Sequence, residues 1–252
     1  MIPAELVCLG TGTAFHHDGR GSQCLLVRPG NGSGVLVDLG PTAMASVMRF
    51  GVETASIERL FVTHLHGDHV AGWPFLLLHF AFVDRRSRPF AVHGPAGVRA
   101  CLEGLMSHCY PDILEEPGLG FEVEYHELAV EERQGLAAGG LSFETVPMEH
   151  HPSSIGYRFD LGGKRLAVSG DTRWCEALDR LADGSELLVL ECTSVERHPH
   201  AHISLVELRE GIERLRSRRL LLVHLPDEVA TALVADPIAN VTPGHDGLVV
   251  SL

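Results

Sequence analysis

Residues 64–69 read His-Leu-His-Gly-Asp-His, directly after the apolar run Leu60-Phe61-Val62. Three imidazoles and a carboxylate crowd into six residues. A loop at the end of a buried strand can turn all four polar side chains into one cavity. Gathering them there costs free energy unless something positive holds them together. Imidazole nitrogen and carboxylate oxygen are the ligands that zinc takes. The chain therefore has to fold so that a strand end opens on a polar, cation-compatible cavity.

Short apolar runs predict strands over residues 5–9, 23–28, 35–39, 60–62, 90–93, 121–126, 141–146, 155–160, 165–169, 187–191, 220–223 and 248–251. Residues 121–125 alternate as a half-exposed strand does. Apolar spacing predicts helices over 42–50, 74–83, 97–107, 175–182, 204–216 and 227–235. In the fifth of these, Leu205, Leu208, Ile212 and Leu215 share a face, and Ser204 with Glu207 forms a capping box. Strands followed by helices occupy the first half, and the second half repeats that pattern. The expectation is a layered α/β sandwich, with residues 1–252 forming a single domain of two similar halves. Periodicity alone also fits a doubly wound sheet. Gly10-Thr11-Gly12 follows the first strand as in a dinucleotide fingerprint. Phe15 stands where the third glycine belongs, however, and no helical pattern follows, so a nucleotide cofactor site is excluded there.

The formal net charge of −13 argues against a polyanion held on a broad basic face. Two short basic runs, residues 85–88 and 214–219, read as solvated faces. The second closes a predicted helix, where cations suit the dipole. Cys8, Cys24, Cys101, Cys109, Cys175 and Cys192 include no C-x-x-C pair and read as reduced, mostly buried thiols. The longest apolar stretch, 70–83, is broken by His79 and has the length of a core helix rather than a membrane span. Residues 1–5 lack the basic segment of a secretory signal. A soluble, cytoplasmic protein without membrane attachment is expected.

The histidine-rich segment resembles the signature motif of the metallo-β-lactamase superfamily, and further resemblances follow in order along nearly the whole chain. Val35-Leu36-Val37-Asp38 is similar to that superfamily's aspartate-bearing strand. Pro147-Met148-Glu149-His150, upstream of Gly156-Tyr157, resembles the third motif of the ribonuclease Z branch. Ser169-Gly170-Asp171-Thr172 looks like the bridging-aspartate motif, and His224, after an apolar strand, looks like the last ligand. Glu191-Cys192-Thr193, then Ala201-His202-Ile203-Ser204, and Asp246-Gly247 before the final strand also resemble that branch.

The resemblance implies a four-layer αββα sandwich holding two divalent ions, zinc foremost, with manganese, iron or nickel as substitutes. Carried over position by position, it gives one ion His64, His66 and His150, the other Asp68, His69 and His224, and makes Asp171 the bridge. Three protein ligands plus a bridging carboxylate leave a place on each ion for a shared water, which suits hydrolysis. His151 rivals His150, but the spacing to Gly156-Tyr157 favours His150. A turn aspartate is the bland alternative for Asp171, and a strand-end histidine the one for His224. Asp38 is expected beside a ligating imidazole, fixing its tautomer. Asp68 would also orient the nucleophile. His202 lies just before the capped helix, whose start attracts anions, so it would hold a phosphate oxygen or protonate a leaving group. Its alternative is a surface histidine beside His198 and His200. His16 and His17 would border the cavity mouth, or play no part. His79 is expected in the core, as are Trp73 and Phe75.

Glyoxalase-like and many lactonase-like relatives carry a histidine–threonine–proline–glycine–histidine run in the third motif. This chain instead has Glu149-His150-His151-Pro152-Ser153-Ser154, which resembles the phosphodiesterase and ribonuclease Z side. Flavodiiron proteins usually place a glutamate where His66 stands, and they carry a flavin domain for which there is no room. Ribonuclease Z enzymes usually insert a long arm that grips transfer RNA between the third motif and the bridging aspartate. Between His150 and Asp171 there is no space for one. The short phosphodiesterases of phosphonate utilisation are the nearest architectural comparison, although the extra cysteine-rich zinc site of some of them is missing. The expectation is a phosphodiesterase of small or cyclic phosphodiesters using a hydroxide between two metals, without stable nucleic-acid binding. The resemblance also implies a homodimer. A lactonase or β-lactamase-type hydrolase, a ribonuclease Z-like nuclease processing RNA 3′ ends, and a non-catalytic metal-binding protein are the alternatives.

Overall fold

The computed structural model describes residues 3–16, 18–30, 32–114, 118–129, 134–138, 140–197 and 202–252; His17, His198, His200 and Ala201 lie outside them. The first strands are β1 (Glu5–Gly10), β2 (Cys24–Arg28), β3 (Gly34–Val37), β4 (Ile57–Phe61), β5 (Phe90–Pro95) and β6 (Val123–Leu128). They are followed by β7 (Gln134–Ala138), β8 (Leu141–Pro147), β9 (Ile155–Asp160), β10 (Arg165–Val168), β11 (Leu187–Glu191), β12 (Leu220–Val223), β13 (Val241–Pro243) and β14 (Val249–Ser251). Among the described residues they form two seven-stranded sheets, ordered β14-β1-β2-β3-β4-β5-β6 and β13-β12-β11-β10-β9-β8-β7. In each sheet an antiparallel section gives way to a parallel one. The pairing turns parallel at β3–β4 in the first sheet and at β10–β11 in the second.

Period-two alternation makes each strand two-faced, and in the strands inside the sheets both faces are apolar. Leu6 and Cys8 of β1 enter a core between the sheets together with Phe61, Phe143, Tyr157, Val189 and Val223. Val7 and Leu9 of the same strand turn the other way, into a core shared with the helices of the first half. Leu188, Leu190 and Leu222 likewise face helices on the outside of the second sheet. Three apolar layers separating two sheets and two helical coats make the expected four-layer αββα sandwich, and strands covered on both faces read as nearly continuous apolar runs.

The coats are α1 (Ala43–Arg49), α2 (Gly67–Val70), α3 (Trp73–Leu78) and α4 (Val98–Cys109) on one side, and α5 (Glu176–Ala182), α6 (Leu205–Gly211) and α7 (Asp227–Ala235) on the other. The capping box forms at α6: the Glu207 N–H donates to Ser204 Oγ, and the Ser204 N–H donates to Glu207 Oε2. The helix stops at Gly211, earlier than its apolar spacing predicts. The Trp174 indole lies against Gly211, so close that a Cβ there would sit 2.2 Å from the ring. The chain then tightens into a 3-10 turn over Ile212–Arg214.

The helix expected over 74–83 also divides. After Leu78 it widens into a π-type turn over His79–Val83, in which the Asp84 N–H reaches His79 O. His79 is consequently not a core histidine; it is half-buried, with Nε2 3.6 Å from Asp84 Oδ1. Trp73 is fully buried, but Phe75 is 45% exposed, with its ring edge-on to Tyr110 at 6.4 Å, so the core placement holds for one of the two aromatics. β7 and β13 went unforeseen because both are short edge strands without an apolar run. Most arginines of the two basic runs have local partners. Arg86 is buried and donates to Ile57, Arg88 and Pro89 carbonyls, while Arg88 pairs with Glu58. Arg214 pairs with Asp179, and Arg218 and Arg219 with Glu186. All six cysteines are free. No helix among the described residues is long and apolar enough to cross a membrane.

Candidate metal centre

Open α/β sheets gather functional loops at the carboxyl ends of their strands, and both sheets do so along one shared edge. β3 runs into Asp38, β4 into Thr63 and His64, β8 into His150, β10 into Asp171, and β12 into His224. Two bonds align the sheets there: the Ile155 N–H donates to Thr63 O at 2.9 Å, and Tyr157 OH donates to Val62 O at 2.7 Å. Gly170 sits in the left-handed region at φ +60 and packs on Thr63, where a Cβ would lie 2.7 Å from the Thr63 Cβ. That contact brings the loop bearing Asp171 against the loop bearing His64.

Residues far apart in the chain meet as a result. His64, His66 and His150 present ring nitrogens within 4.8 Å of one another, and so do the ligand atoms of Asp68, His69, Asp171 and His224. Asp171 lies between the two groups. Its Oδ2 is 3.9 Å from Nε2 of both His64 and His150 and 3.5 Å from Nε2 of His224, while its Oδ1 is 3.5 Å from Nε2 of His69. His224 Nε2 is 3.2 Å from Asp68 Oδ2. His64, His69, Asp171 and His224 form a buried floor, and His66, Asp68 and His150 lie toward solvent. Of the adjacent pair, His150 enters the cluster, whereas His151 turns Nδ1 to Ser153 Oγ at 2.7 Å.

Whether these residues fit a cation is decided by what they lack. Nε2 of His64, Nε2 of His69 and Oδ1 of Asp171 are buried without a hydrogen-bond partner among the described residues. Buried polar atoms are almost always paired, and three such orphans, on Asp171 and on a histidine of each cluster beside it, suit divalent metal ions. Burial, reinforced by neighbouring His69, holds His64 well below its ordinary pKa and so in the neutral form that ligates. For His69, burial pulls downward, but Asp171 and Asp38 outweigh it and raise the imidazole well above its ordinary value. For Asp171, burial works upward, yet His224 and His69 prevail and hold the carboxyl well below the usual range. The Asp171 carboxylate thus stands ready as an anion.

Asp38 takes the supporting place expected of it. Its Oδ2 lies 2.8 Å from His69 Nδ1, and Oδ1 accepts from the Thr63 N–H at 2.8 Å. It achieves this with a left-handed backbone, φ +60. His202 is placed by Glu191, whose Oε1 is 2.8 Å from its Nδ1. The His202 ring lies 4.6 Å from the His150 ring and 5.7 Å from the His224 ring, at the mouth. The anion-attracting helix start proposed for His202 is not met. α6 spans only seven residues, and the Glu207 carboxylate already occupies its beginning. His16 sits on the loop after β1, with Nδ1 3.2 Å from Arg20 O and Nε2 3.3 Å from Ser22 Oγ.

Sequence reasoning gave Glu191 and Thr63 no role. Glu191 is 1% exposed, accepts from the Thr172 and Ile203 N–H groups, and stands under His202. Burial and nearby Asp171 raise its carboxyl well above the usual range. The available signal was a carboxylate closing the otherwise apolar strand Leu187-Leu188-Val189-Leu190.

A model of the family described as anti-Pycsar protein Apyc1 matches residues 4–241. The ribonuclease Z of Anoxybacillus flavithermus is 28% identical over 270 residues, spanning 88% of this chain and 86% of that protein. Human tRNase Z, short form, superposes with a TM-score of 0.80 at 22% identity over 98% of both chains. The metallo-β-lactamase fold protein YhfI from Bacillus subtilis superposes with a TM-score of 0.80 at 16% identity over 100% of both.

Proposed function

Since the chain belongs to the anti-Pycsar protein Apyc1 family, a group of metallo-β-lactamase-fold hydrolases on the ribonuclease Z-like side of that superfamily, we propose that it is a dinuclear metal-dependent phosphodiesterase of small or cyclic phosphodiesters. The observation that carries the substrate reading is the hairpin between β9 and β10. In ribonuclease Z enzymes the arm that grips transfer RNA falls in this stretch. Here the Leu161 N–H donates to Lys164 O and the Gly163 N–H to Asp160 Oδ1, closing the turn within a few residues. The net charge of −13 and the locally paired arginines add to this, because a polyanion is held by unpaired basic surface.

In this reading His64, His66 and His150 hold one ion, Asp68, His69 and His224 the other, and Asp171 serves both. When bound, such a pair of divalent ions lowers the pKa of a shared water and neutralises charge on the phosphoryl oxygens. The chain itself supplies orientation and proton transfer. Asp38 fixes the His69 tautomer through Nδ1. Asp68, at the mouth, accepts the proton of the attacking water and so orients it. Glu191 holds His202 by Nδ1, which leaves Nε2 to give a proton to the departing oxygen.

The test is a substrate panel run on metal-loaded protein: bis-p-nitrophenyl phosphate, cyclic phosphodiesters, precursor transfer RNA, lactones and nitrocefin. Phosphodiester hydrolysis should dominate. Cleavage of precursor transfer RNA faster than of small phosphodiesters would move the assignment to RNA 3′ processing. Turnover confined to lactones or nitrocefin would move it to carbonyl chemistry.

A further inference from the structure

His224 differs from His69 and His202 in how it is held. His69 is fixed by Asp38 and His202 by Glu191. The Nδ1 of His224 is buried and has no partner among the described residues, so no outer carboxylate or carbonyl among them aims its ring. Its backbone is also in the left-handed region, φ +50, a conformation that costs a non-glycine residue free energy. Something beyond the side chain must hold this turn.

The turn is held across the two sheets. Immediately after His224, the Leu225 N–H donates to Thr11 O at 3.0 Å. Thr11 is itself pinned: its N–H and its hydroxyl both donate to Asp246 Oδ1, at 2.9 and 2.8 Å. Arg20 completes the frame. Its Nη1 donates to Thr11 Oγ1 at 3.0 Å and to Gly244 O at 2.8 Å, and its Nε pairs with Asp227 Oδ1 at 2.8 Å. The Gly244 N–H in turn donates to Leu222 O of β12, the strand that leads into His224. Asp246 Oδ2 takes the Gly21 N–H at 2.6 Å. The side chain of Arg20 is only 15% exposed, so its planar fork is spent on this frame rather than on solvent. Arg20, Thr11 and Asp246 are themselves outside both ligand clusters.

We propose that Arg20, with Asp246, is a positioning clamp for His224 that sets the cation affinity of the Asp68–His69–Asp171–His224 cluster. The inference rests on the metal-centre reading given under Proposed function. Both clusters straddle the sheets, but different cross-sheet bonds brace them. The group of His64, His66 and His150 is tied by Ile155 to Thr63 and Tyr157 to Val62. The group containing His224 depends on Thr11, Arg20 and Asp246. Loosening the clamp therefore acts on one ion and spares the other, doing to His224 what loss of an outer hydrogen bond does to an ordinary ligating histidine.

The experiment titrates zinc into metal-free protein against a chromophoric chelator and records Tm alongside. The parent protein should bind two ions. Arg20→Met should bind one with parental affinity and the second at least about tenfold more weakly, the loss typical of outer-shell changes. Arg20→Lys keeps the charge without the fork and should fall between them. Asp227→Ala removes only the outer leg, at a residue whose side chain is 58% exposed, and decides the matter should Arg20→Met not fold. It should weaken the same ion by a smaller factor. A parental second affinity in the folded variants, or equal weakening of both ions, would overturn the clamp. A parent that takes up no divalent ion would instead overturn the metal-centre reading, and the clamp with it.

Discussion

The Nδ1 of His202 lies 2.8 Å from Oε1 of Glu191, a carboxylate almost fully buried beneath the mouth of the centre. That contact fixes the ring at the mouth and, in the proposed reaction, leaves its other nitrogen as the proton donor to the leaving group. His202→Ala should lower kcat by about 10²–10⁴, the range typical of general acid catalysis, with metal content unchanged. Glu191→Gln should cost less, because the ring keeps a hydrogen-bonding partner. Activity in His202→Ala equal to the parent's would remove the residue from the mechanism.

Asp38 serves three donors at once: the Thr63 N–H, the Thr63 hydroxyl and the His69 ring. Asp38→Ala should weaken metal binding by about 10–100-fold and lower Tm, because buried donors lose their acceptor. Metal analysis after dialysis and a thermal melt check the two halves of this expectation separately.

Gly170 has little tolerance for a side chain. Its φ of +60 disfavours other residues, and a Cβ would sit 2.7 Å from the Thr63 Cβ. Gly170→Ala should destabilise the protein by about 2–4 kcal/mol through backbone strain and overpacking, and should displace Asp171 with it. Denaturant unfolding measures the first effect and metal content the second. An unchanged midpoint would show that the loop yields freely.

His93 is 5% exposed, stacked between Phe61 and His126, and its pKa is lowered to about 4, chiefly by burial and then by His126. The ordinary value is 6.5, so on acidification the unfolded chain takes up this proton before the folded one does. The associated stability is complete above pH 6.5 and is lost as pH falls toward 4. It amounts to about 3 kcal/mol, since each tenfold change in proton affinity is worth about 1.36 kcal/mol. His93→Phe should flatten the stability profile over that window relative to the parent, as read by unfolding at a series of pH values. Parallel profiles would mean that the stack does not exclude the proton.

Removal of metal should be felt in folding as well as in turnover. Buried nitrogens and carboxylates left without a partner are costly, and an ion that binds only the folded state adds RT ln(1 + [L]/Kd) to its stability. A chelator should therefore lower Tm, and added zinc should restore it. A Tm indifferent to both would argue against resident ions.

Features carried by neighbours in the chain are legible in the sequence itself. His64, His66, Asp68 and His69 lie within six residues, so their shared cavity follows from a single loop. Ser204 and Glu207 cap α6 three residues apart, and the unbroken apolar run Leu6-Val7-Cys8-Leu9 already marks a strand. Asp171 and His224 could be placed only through resemblance, since nothing local sets a strand-end aspartate or histidine apart from others of its kind. Arg20 and Gly211 were beyond reach for a related reason, and Glu191 showed only as a carboxylate closing an apolar strand, without its role. What each does depends on a partner brought to it by sheet packing: His202 above Glu191, Asp246 behind Arg20 through Thr11, Trp174 against Gly211. The same holds where residues fell outside expectation, with His79 drawn to Asp84 by a widened turn and Phe75 left exposed. Periodicity and short-range chemistry act along the chain and can be read there. Burial and hydrogen-bond partnership between the two sheets arise only once both are assembled, and those contacts decided how the centre is held.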